Sequence, residues 1–388
     1  MPLKTSSLLV KATLLLSSSL TVMAGATIAP SLPAMRDYFA VTPNADYWVR
    51  LVLTVPALFI AIGAPFVGTV IDRFGRKPLL ASSVLLYGIA GTSGAVLNAI
   101  GMILVGRVLL GLSVAGIMTT ATALIADYYT GAARAQFLGF QAGFMGLGGV
   151  LFLSLGGFLA DINWRMPFLI YLLALLILPL VVLVLPEPNY TEVGQNAGID
   201  ETEVFPWQIA NLTYLAAFLS QIVFYLIPVQ LPFYLKQLAN ATASQSGLAI
   251  ALATLFSAAS AIAYKQIKAR LSFVGIYAIA FLAMAVGYLV ISVSPTYAMV
   301  LVGLAIAGAG LGLLMPNMNV CLTSVTPVSL RGRVLGGLTT AFFLGQFVSP
   351  ILSPPLSSAV GLDVTYRLAG GLMAAMGAAA LGLGWRWR

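Results

Sequence analysis

The sequence predicts an all-helical membrane protein, with twelve spans arranged as two pseudo-symmetric six-helix bundles. Three observations carry that expectation. Apolar runs of membrane-crossing length follow one another almost throughout, the basic residues segregate to one set of connecting loops, and the second half repeats the first at a fixed offset.

Composition excludes an ordinary soluble domain. The 388 residues are 60% hydrophobic and 8% charged, with a mean hydropathy of +1.00, whereas soluble domains carry about 25% charged residues. In lipid every backbone amide must be bonded within the chain, which leaves helices or a closed barrel. Barrel strands alternate at period two. The runs here are evenly apolar over the roughly 20 residues that a helix needs to cross the hydrocarbon, so they are helices.

In chain order the spans fall near residues 8–30, 48–71, 78–98, 102–126, 135–160 and 165–185, then 207–234, 244–264, 272–293, 297–322, 334–356 and 366–385. The first imitates a cleavable signal peptide, with Lys4 and Lys11, an apolar stretch over 14–22, then Ala24-Gly25-Ala26. A retained helix is expected, because cleavage would leave eleven spans and break the symmetry. The longest polar interruption, residues 186–206, carries Glu187, Glu192, Asp200, Glu201 and Glu203. It reads as a linker between a bundle over 1–185 and another over 207–388.

Lysine and arginine set the orientation. With the N-terminus cytoplasmic, thirteen lie on that face, and only Arg36, Arg50, Arg165, Lys236 and Arg367 on the other. This bias predicts both termini and the linker on the cytoplasmic side, and a bacterial inner (plasma) membrane is the expected location. The net charge of +8 is then topological, and no nucleic-acid partner is expected. Cys321 is the single cysteine, so no intrachain disulfide forms.

Sliding the chain on itself by 197 positions aligns Met102 with Met299, Gly106 with Gly303, Gly111 with Gly308, Met118 with Met315, Arg134 with Arg331, Gly139 with Gly336 and Gly148 with Gly345. The paired arginines and spaced glycines exceed what a leucine-rich composition produces by chance. Two like-oriented six-helix halves are the parallel repeat from which carriers rock around a midplane site.

The loop between spans two and three holds Gly68, Asp72, Arg73, Gly75, Arg76 and Lys77. A plain basic stop loop accounts for the cations but not for Asp72, one helical turn after Gly68. Pro30-Ser31-Leu32-Pro33 follows the first span, Arg107 and Gly111 lie in the fourth, Asp127 and Arg134 flank the next turn, and Trp164-Arg165 precede the sixth. In these motifs the chain resembles the major facilitator superfamily, and within it the twelve-helix drug/proton antiporters. The resemblance implies rocker-switch alternating access around a central cavity, proton-coupled export of amphipathic small organic molecules, and no cofactor. It also implies a gate in which Asp72 approaches the N-terminus of the eleventh helix, near Val334, while Arg76 pairs with Asp127. A carboxylate at an exposed helix N-terminus is stabilising by about 0.3–1 kcal/mol. The carrier fold needs no partner subunit, so a monomer is expected.

Two departures bear on coupling. The antiporter pattern of the fifth span has Gly139, Gly148 and Gly156-Gly157, but Phe152-Leu153 where the relatives have Gly-Pro. The acids all fall outside the spans as drawn, and with no histidine in the chain Asp37 is the candidate proton site. Arg107 is the one ionisable residue deep in a span, where a charge is costly and faces a cavity or a partner; Arg50 lies near a span end and reads as snorkelling. Candidate cavity residues are Met23, Thr27, Met118, Thr119, Gln141 and Met145 in the first half. In the second they are Gln221, Tyr225, Gln230, Asn317, Asn319, Phe342 and Gln346. Together they describe an apolar cavity with amides and few charges, suited to adaptable binding by methionine. Pro228, Pro232 and Pro316 are candidate helix bends.

Other classes fit less well. Gly91-Thr92-Ser93-Gly94 resembles an intramembrane serine-protease motif, but that chemistry needs a base and the chain has no histidine. A phosphate-binding loop and a metal-ligand cluster are equally lacking in the sequence. A receptor or scaffold would not require the repeat, and within transport the alternative is uptake of a metabolite or sugar.

Overall fold

The structure, a computed structural model, describes residues 7–188, 206–327 and 330–386, without the side chains of Ala26, Asp72, Ala135 and residues 383–386. The linker expected over 186–206 therefore lies mostly outside the described residues. Among these residues there is no strand, and twelve helical segments are long and apolar enough to cross a membrane.

The first bundle begins with α1 (Leu8–Ala26) and α2 (Leu32–Tyr38), joined by a 3₁₀ turn over Ala29–Ser31 into one span. It continues with α3 (Ala45–Phe74), α4 (Arg76–Thr92), α5 (Ile100–Tyr128), α6 (Gly131–Ile162) and α7 (Leu173–Val184), the last entered through a 3₁₀ stretch over Met166–Leu172. The second bundle comprises α8 (Trp207–Phe224), α9 (Leu226–Ala239), α10 (Ala243–Lys268), α11 (Phe273–Ser292), α12 (Tyr297–Val325), α13 (Arg331–Val360) and α14 (Leu362–Arg386). Several spans are longer than expected: the first reaches Tyr38 rather than residue 30, and α6 and α13 begin at Gly131 and Arg331 rather than 135 and 334. Helices continue past the hydrocarbon into polar sequence, which an apolar window does not register.

Local chemistry explains the ends. Ser7, Thr242, Ser272 and Thr296 cap α1, α10, α11 and α12 by accepting from a backbone N–H three residues on. The seventh span breaks at Tyr225 between α8 and α9, because Pro228 has no N–H for the carbonyl four residues back. Pro232 and Pro316 lie inside unbroken helices, so only the first of the expected bends ends a helix.

The repeat is explicit in three dimensions. Helices α5 and α12 are both 29 residues long, beginning at 100 and 297 and ending at 128 and 325. A Cβ on Gly111 would run into the carbonyl of Pro56 in α3, and one on Gly308 into the carbonyl of Ala253 in α10. Pro56 and Ala253 are themselves 197 positions apart, so matched glycines admit matched backbones. Large apolar side chains such as Ile89, Leu151, Leu176, Leu183 and Ile262 remain exposed along the spans. An apolar surface of this extent belongs in lipid, and the chain is an integral multi-pass membrane protein.

Candidate functional site

The site lies where the two bundles meet, and α6 and α10 define it. They run antiparallel. Cβ positions on Gly157 and Gly247 fall within 3.2 Å of each other's Cα, with Gly149 against Thr254 at 3.2 Å and Gly146 against Ala258 at 3.1 Å. Beyond Gly146 the helices part, and Gly143 and Gly139 face open space. At the same end Gly68, Gly332 and Gly336 also have nothing within 4 Å of a Cβ. This is the end that carries the Gly68–Lys77 motif. The bundles are thus splayed at the motif end and closed at the far end.

A cavity of about 230 Å³ opens at the point of divergence. Ala142 and Gly146 of α6 form its first-bundle wall; Ser220, Gln221, Thr254, Ser257, Met315, Met318 and Phe342 are among the residues of the second. Gln346 donates to Gln221 Oε1 at 3.2 Å and so holds that amide in place. The lining contains hydroxyls, one amide, thioethers and a ring, without a charge.

Closure at the far end is polar as well as steric. Arg50, only 4% exposed, donates through Nη2 to Gln230 Oε1 across the seam at 3.1 Å and lies 4.2 Å over the Phe233 ring of the opposite bundle. Its own-helix partner is Asp46, bonded through both the carbonyl and the carboxylate. The expectation that Arg50 snorkels to the interface is corrected: the second bundle covers it. Lys236 pairs with Asp37 across the same seam at 3.0 Å, and Arg36 holds the other carboxylate oxygen at 2.9 Å. Asp37 therefore sits half-exposed at the far rim. Tyr225 completes the closure, its hydroxyl 3.2 Å from where a Gly25 Cβ would be.

At the motif end, Arg76 and Asp127 form the expected ion pair. Asp72 lies in α3, but its side chain is outside the described residues, as is its expected approach to the eleventh helix. Arg73 lies 5.4 Å over Phe74, and Arg134 is exposed at the start of α6. Sequence reasoning missed Glu187. Its two carboxylate oxygens accept from the backbone N–H groups of Arg76 and Lys77, each at 2.8 Å, which caps α4. Gly75, at φ +85°, turns the chain between α3 and α4, and any side chain there would meet this carboxylate at 2.8 Å.

Arg107 is fully buried. It donates to the Gly91 carbonyl and the Tyr171 hydroxyl, both at 3.2 Å, between the rings of Phe168 and Tyr171 at 4.6 and 5.0 Å. Gly91 and Gly94, half of the protease-like motif, seat those two rings. Gly111, one turn on, is the close contact with α3 described above. Arg107 is thus a cross-brace of the first bundle and does not line the cavity.

Of the other expected cavity residues, Met23 and Thr27 are buried beneath the far-end closure, Thr27 donating to the Met23 carbonyl. Gln230 belongs to the seam. Asn317 ties α12 to the Phe273 carbonyl and Tyr264, and Asn319 bonds its own helix at Met315. Met23, Thr27, Gln230 and Asn317 are thus buried within the protein away from the cavity, and Asn319 is bonded within its own helix. Gln141 donates to Ser18 of α1; Met118, Thr119 and Met145 are half-buried on the first bundle. Gln221 and Phe342 line the cavity, with Gln346 behind them.

Two six-helix bundles around a cavity open to one end define a membrane transporter rather than an enzyme. The pattern of the Major Facilitator Superfamily matches residues 14–262 and 213–388, and the chain belongs to that family. It is 29% identical over 177 residues to multidrug resistance protein 1 of Bacillus subtilis, covering 44% of this chain and 45% of that protein. It is 29% identical over 141 residues to quinolone resistance protein NorA of Staphylococcus aureus, covering 36% of each. The matched stretches thus span less than half the length of these relatives. Among solved structures, a D-xylose–proton symporter superposes with a TM-score of 0.82 at 18% identity over 96% of both chains. The inward-open xylose transporter XylE of E. coli gives 0.80 at 15% identity over 96% of this chain and 95% of that one. At such identities they establish the fold alone.

Proposed function

We propose that this transporter exports amphipathic, neutral or weakly charged organic molecules by rocker-switch alternating access, in exchange for protons. The motif end and both termini then face the cytoplasm, and the conformation described is the inward-open one. One observation carries the reading. The cavity where the bundles part is lined by Ser220, Gln221, Thr254 and Ser257 beside Met315, Met318 and Phe342, with no charged group. A sugar site needs many convergent hydrogen-bond groups, whereas a few hydroxyls among methionine and aromatic surface suit a molecule with one polar end. The names of the resistance proteins similar to this chain point the same way.

For coupling, Asp37 is the carboxylate offered. Its bond to Lys236 spans the two bundles, so opening the far end removes one of its two cationic partners and eases protonation there. The proton gradient supplies the work of each cycle, and the chain acts as a monomer in the bilayer.

The test is counterflow in liposomes with the purified protein. A hydrophobic dye is expected to exchange and to accumulate when a pH gradient is imposed, with xylose and amino acids inactive. Exchange of a sugar without dye movement would replace this reading by metabolite uptake. Binding of dye with no flux of any solute would replace it by a receptor role.

A further inference from the structure

At the far end of the seam a carboxylate of one bundle caps a helix of the other. Asp161, in the last turn of α6, accepts through Oδ1 from the Ala243 N–H at 2.7 Å and through Oδ2 from the Ser244 N–H at 3.2 Å. These are the first two amides of α10. The remaining end groups of that helix are satisfied internally: Thr242 Oγ1 accepts from Gln245 N–H, and Gln245 Oε1 accepts from Thr242 N–H. A capping box of this kind leaves the first two helical amides without a partner of their own. Asp161 supplies it, from 82 residues away.

A second observation shows that the contact is built into the seam. One turn earlier, Gly157 lies against the Ala243 carbonyl, where a Cβ would come within 2.8 Å. The bare backbone at Gly157 and Gly247 brings α6 close enough for the Asp161 carboxylate to reach the end of α10.

We infer that Asp161 is the far-end latch of this transporter, a carboxylate that seats on the α10 N-terminus in the conformation described and leaves it when the bundles part at that end. The inference rests on the alternating-access reading and adds a residue that biases it. Its position follows from the internal symmetry of the fold. Each six-helix half contains nested inverted repeats, which relate the second span to the fifth and the eighth to the eleventh. The end of the fifth span meeting the start of the eighth at the far end is therefore the inverted counterpart of the end of the second meeting the start of the eleventh at the motif end. With Asp72 seating on the eleventh helix as the family resemblance implies, one latch would be made as the other is released, and the two ends would compete for closure.

Spin labels on Val41→Cys and Ala298→Cys, both exposed at the far ends of opposite bundles, in a Cys321→Ser background, test this by distance distribution in nanodiscs. The unmodified latch is expected to give a dominant short distance and a minor long one. Asp161→Asn keeps the shape but loses the charge, and is expected to raise the long population about two- to fivefold, the range for an exposed charge at a helix end. Asp161→Glu is expected to stay near the starting distribution. A long component that is present but unchanged by Asp161→Asn overturns the latch and leaves alternating access standing. A single short distance in every variant, with or without dye, overturns both.

Discussion

Arg50 and Gln230 form a hydrogen bond of 3.1 Å between the two bundles, and both residues are buried. Because the donor is charged and covered, the bond holds the far end shut more strongly than an exposed pair could. A hydrogen bond to a charged group contributes about 1.5–3 kcal/mol, which is roughly ten- to hundredfold in an equilibrium. Gln230→Ala is therefore expected to populate the far-end-open form more by about that factor. Thr54, one turn from Arg50 and fully buried, reports it: in Thr54→Cys, modification by an impermeant maleimide should accelerate. An unchanged rate would mean that the pair contributes nothing to closure.

Gly157 bears on the opposite property, the ability to close at all. A Cβ there meets the Ala243 carbonyl at 2.8 Å and the Ser244 Cα at 2.9 Å, and backbone cannot rotate aside. Gly157→Val is expected to leave the folded protein intact while preventing far-end closure, cutting dye exchange at least about tenfold, since overpacking a tight seam costs about 1–3 kcal/mol. Labelled distances across the far end should lengthen in parallel. Wild-type exchange by this variant would show that the seam opens and closes elsewhere.

Gln221 is the amide of the cavity, held by Gln346. Gln221→Leu is expected to weaken binding of a hydrogen-bonding dye about three- to tenfold, from the about 0.5–1.5 kcal/mol of one neutral bond. A purely apolar dye of the same size should bind unchanged. Fluorescence titration of the two dyes checks this, and equal losses for both would argue that the residue shapes the cavity rather than contacting the ligand.

Arg107 makes the contrasting case of a motif residue whose described contacts are structural. Arg107→Ala removes two hydrogen bonds and the stacking between Phe168 and Tyr171, and is expected to cost about 3 kcal/mol or more in stability. Arg107→Lys should fall between, since an ammonium neither stacks nor forks as a guanidinium does. The measurement is the melting temperature in detergent. A variant that melts normally and yet fails to transport would reassign Arg107 to the transport step.

The fold was legible in the sequence wherever a residue type is tied to backbone geometry. Gly111 and Gly308 repeat because each lets a neighbouring helix backbone approach, and that requirement survives as a pair of letters 197 apart. Arg76 and Asp127 could be paired in advance because the family that their two separate motifs resemble pairs these positions. The cavity was less legible. Its helices are apolar on all sides, so hydropathy does not say which side faces the other bundle. Asn317 and Gln230 looked like cavity residues because they are polar, yet their amides are spent on Phe273, Tyr264, Arg50 and Ser357. Ser257 lines the cavity with nothing in its local sequence to mark it, and Met315, which also lines it, was marked only as the repeat partner of Met118.

By itself the sequence determined that this chain lives in lipid, crosses it twelve times and is built twice over, because hydrophobic length, charge placement and glycine spacing act locally along the chain. Only the tertiary structure decided which end is shut. That depends on pairs such as Arg50 with Gln230 and Asp161 with Ala243, which lie far apart in sequence and meet only when two separately packed bundles lean together. Their contact energies are a few kcal/mol at most, small enough to be made and broken in each cycle.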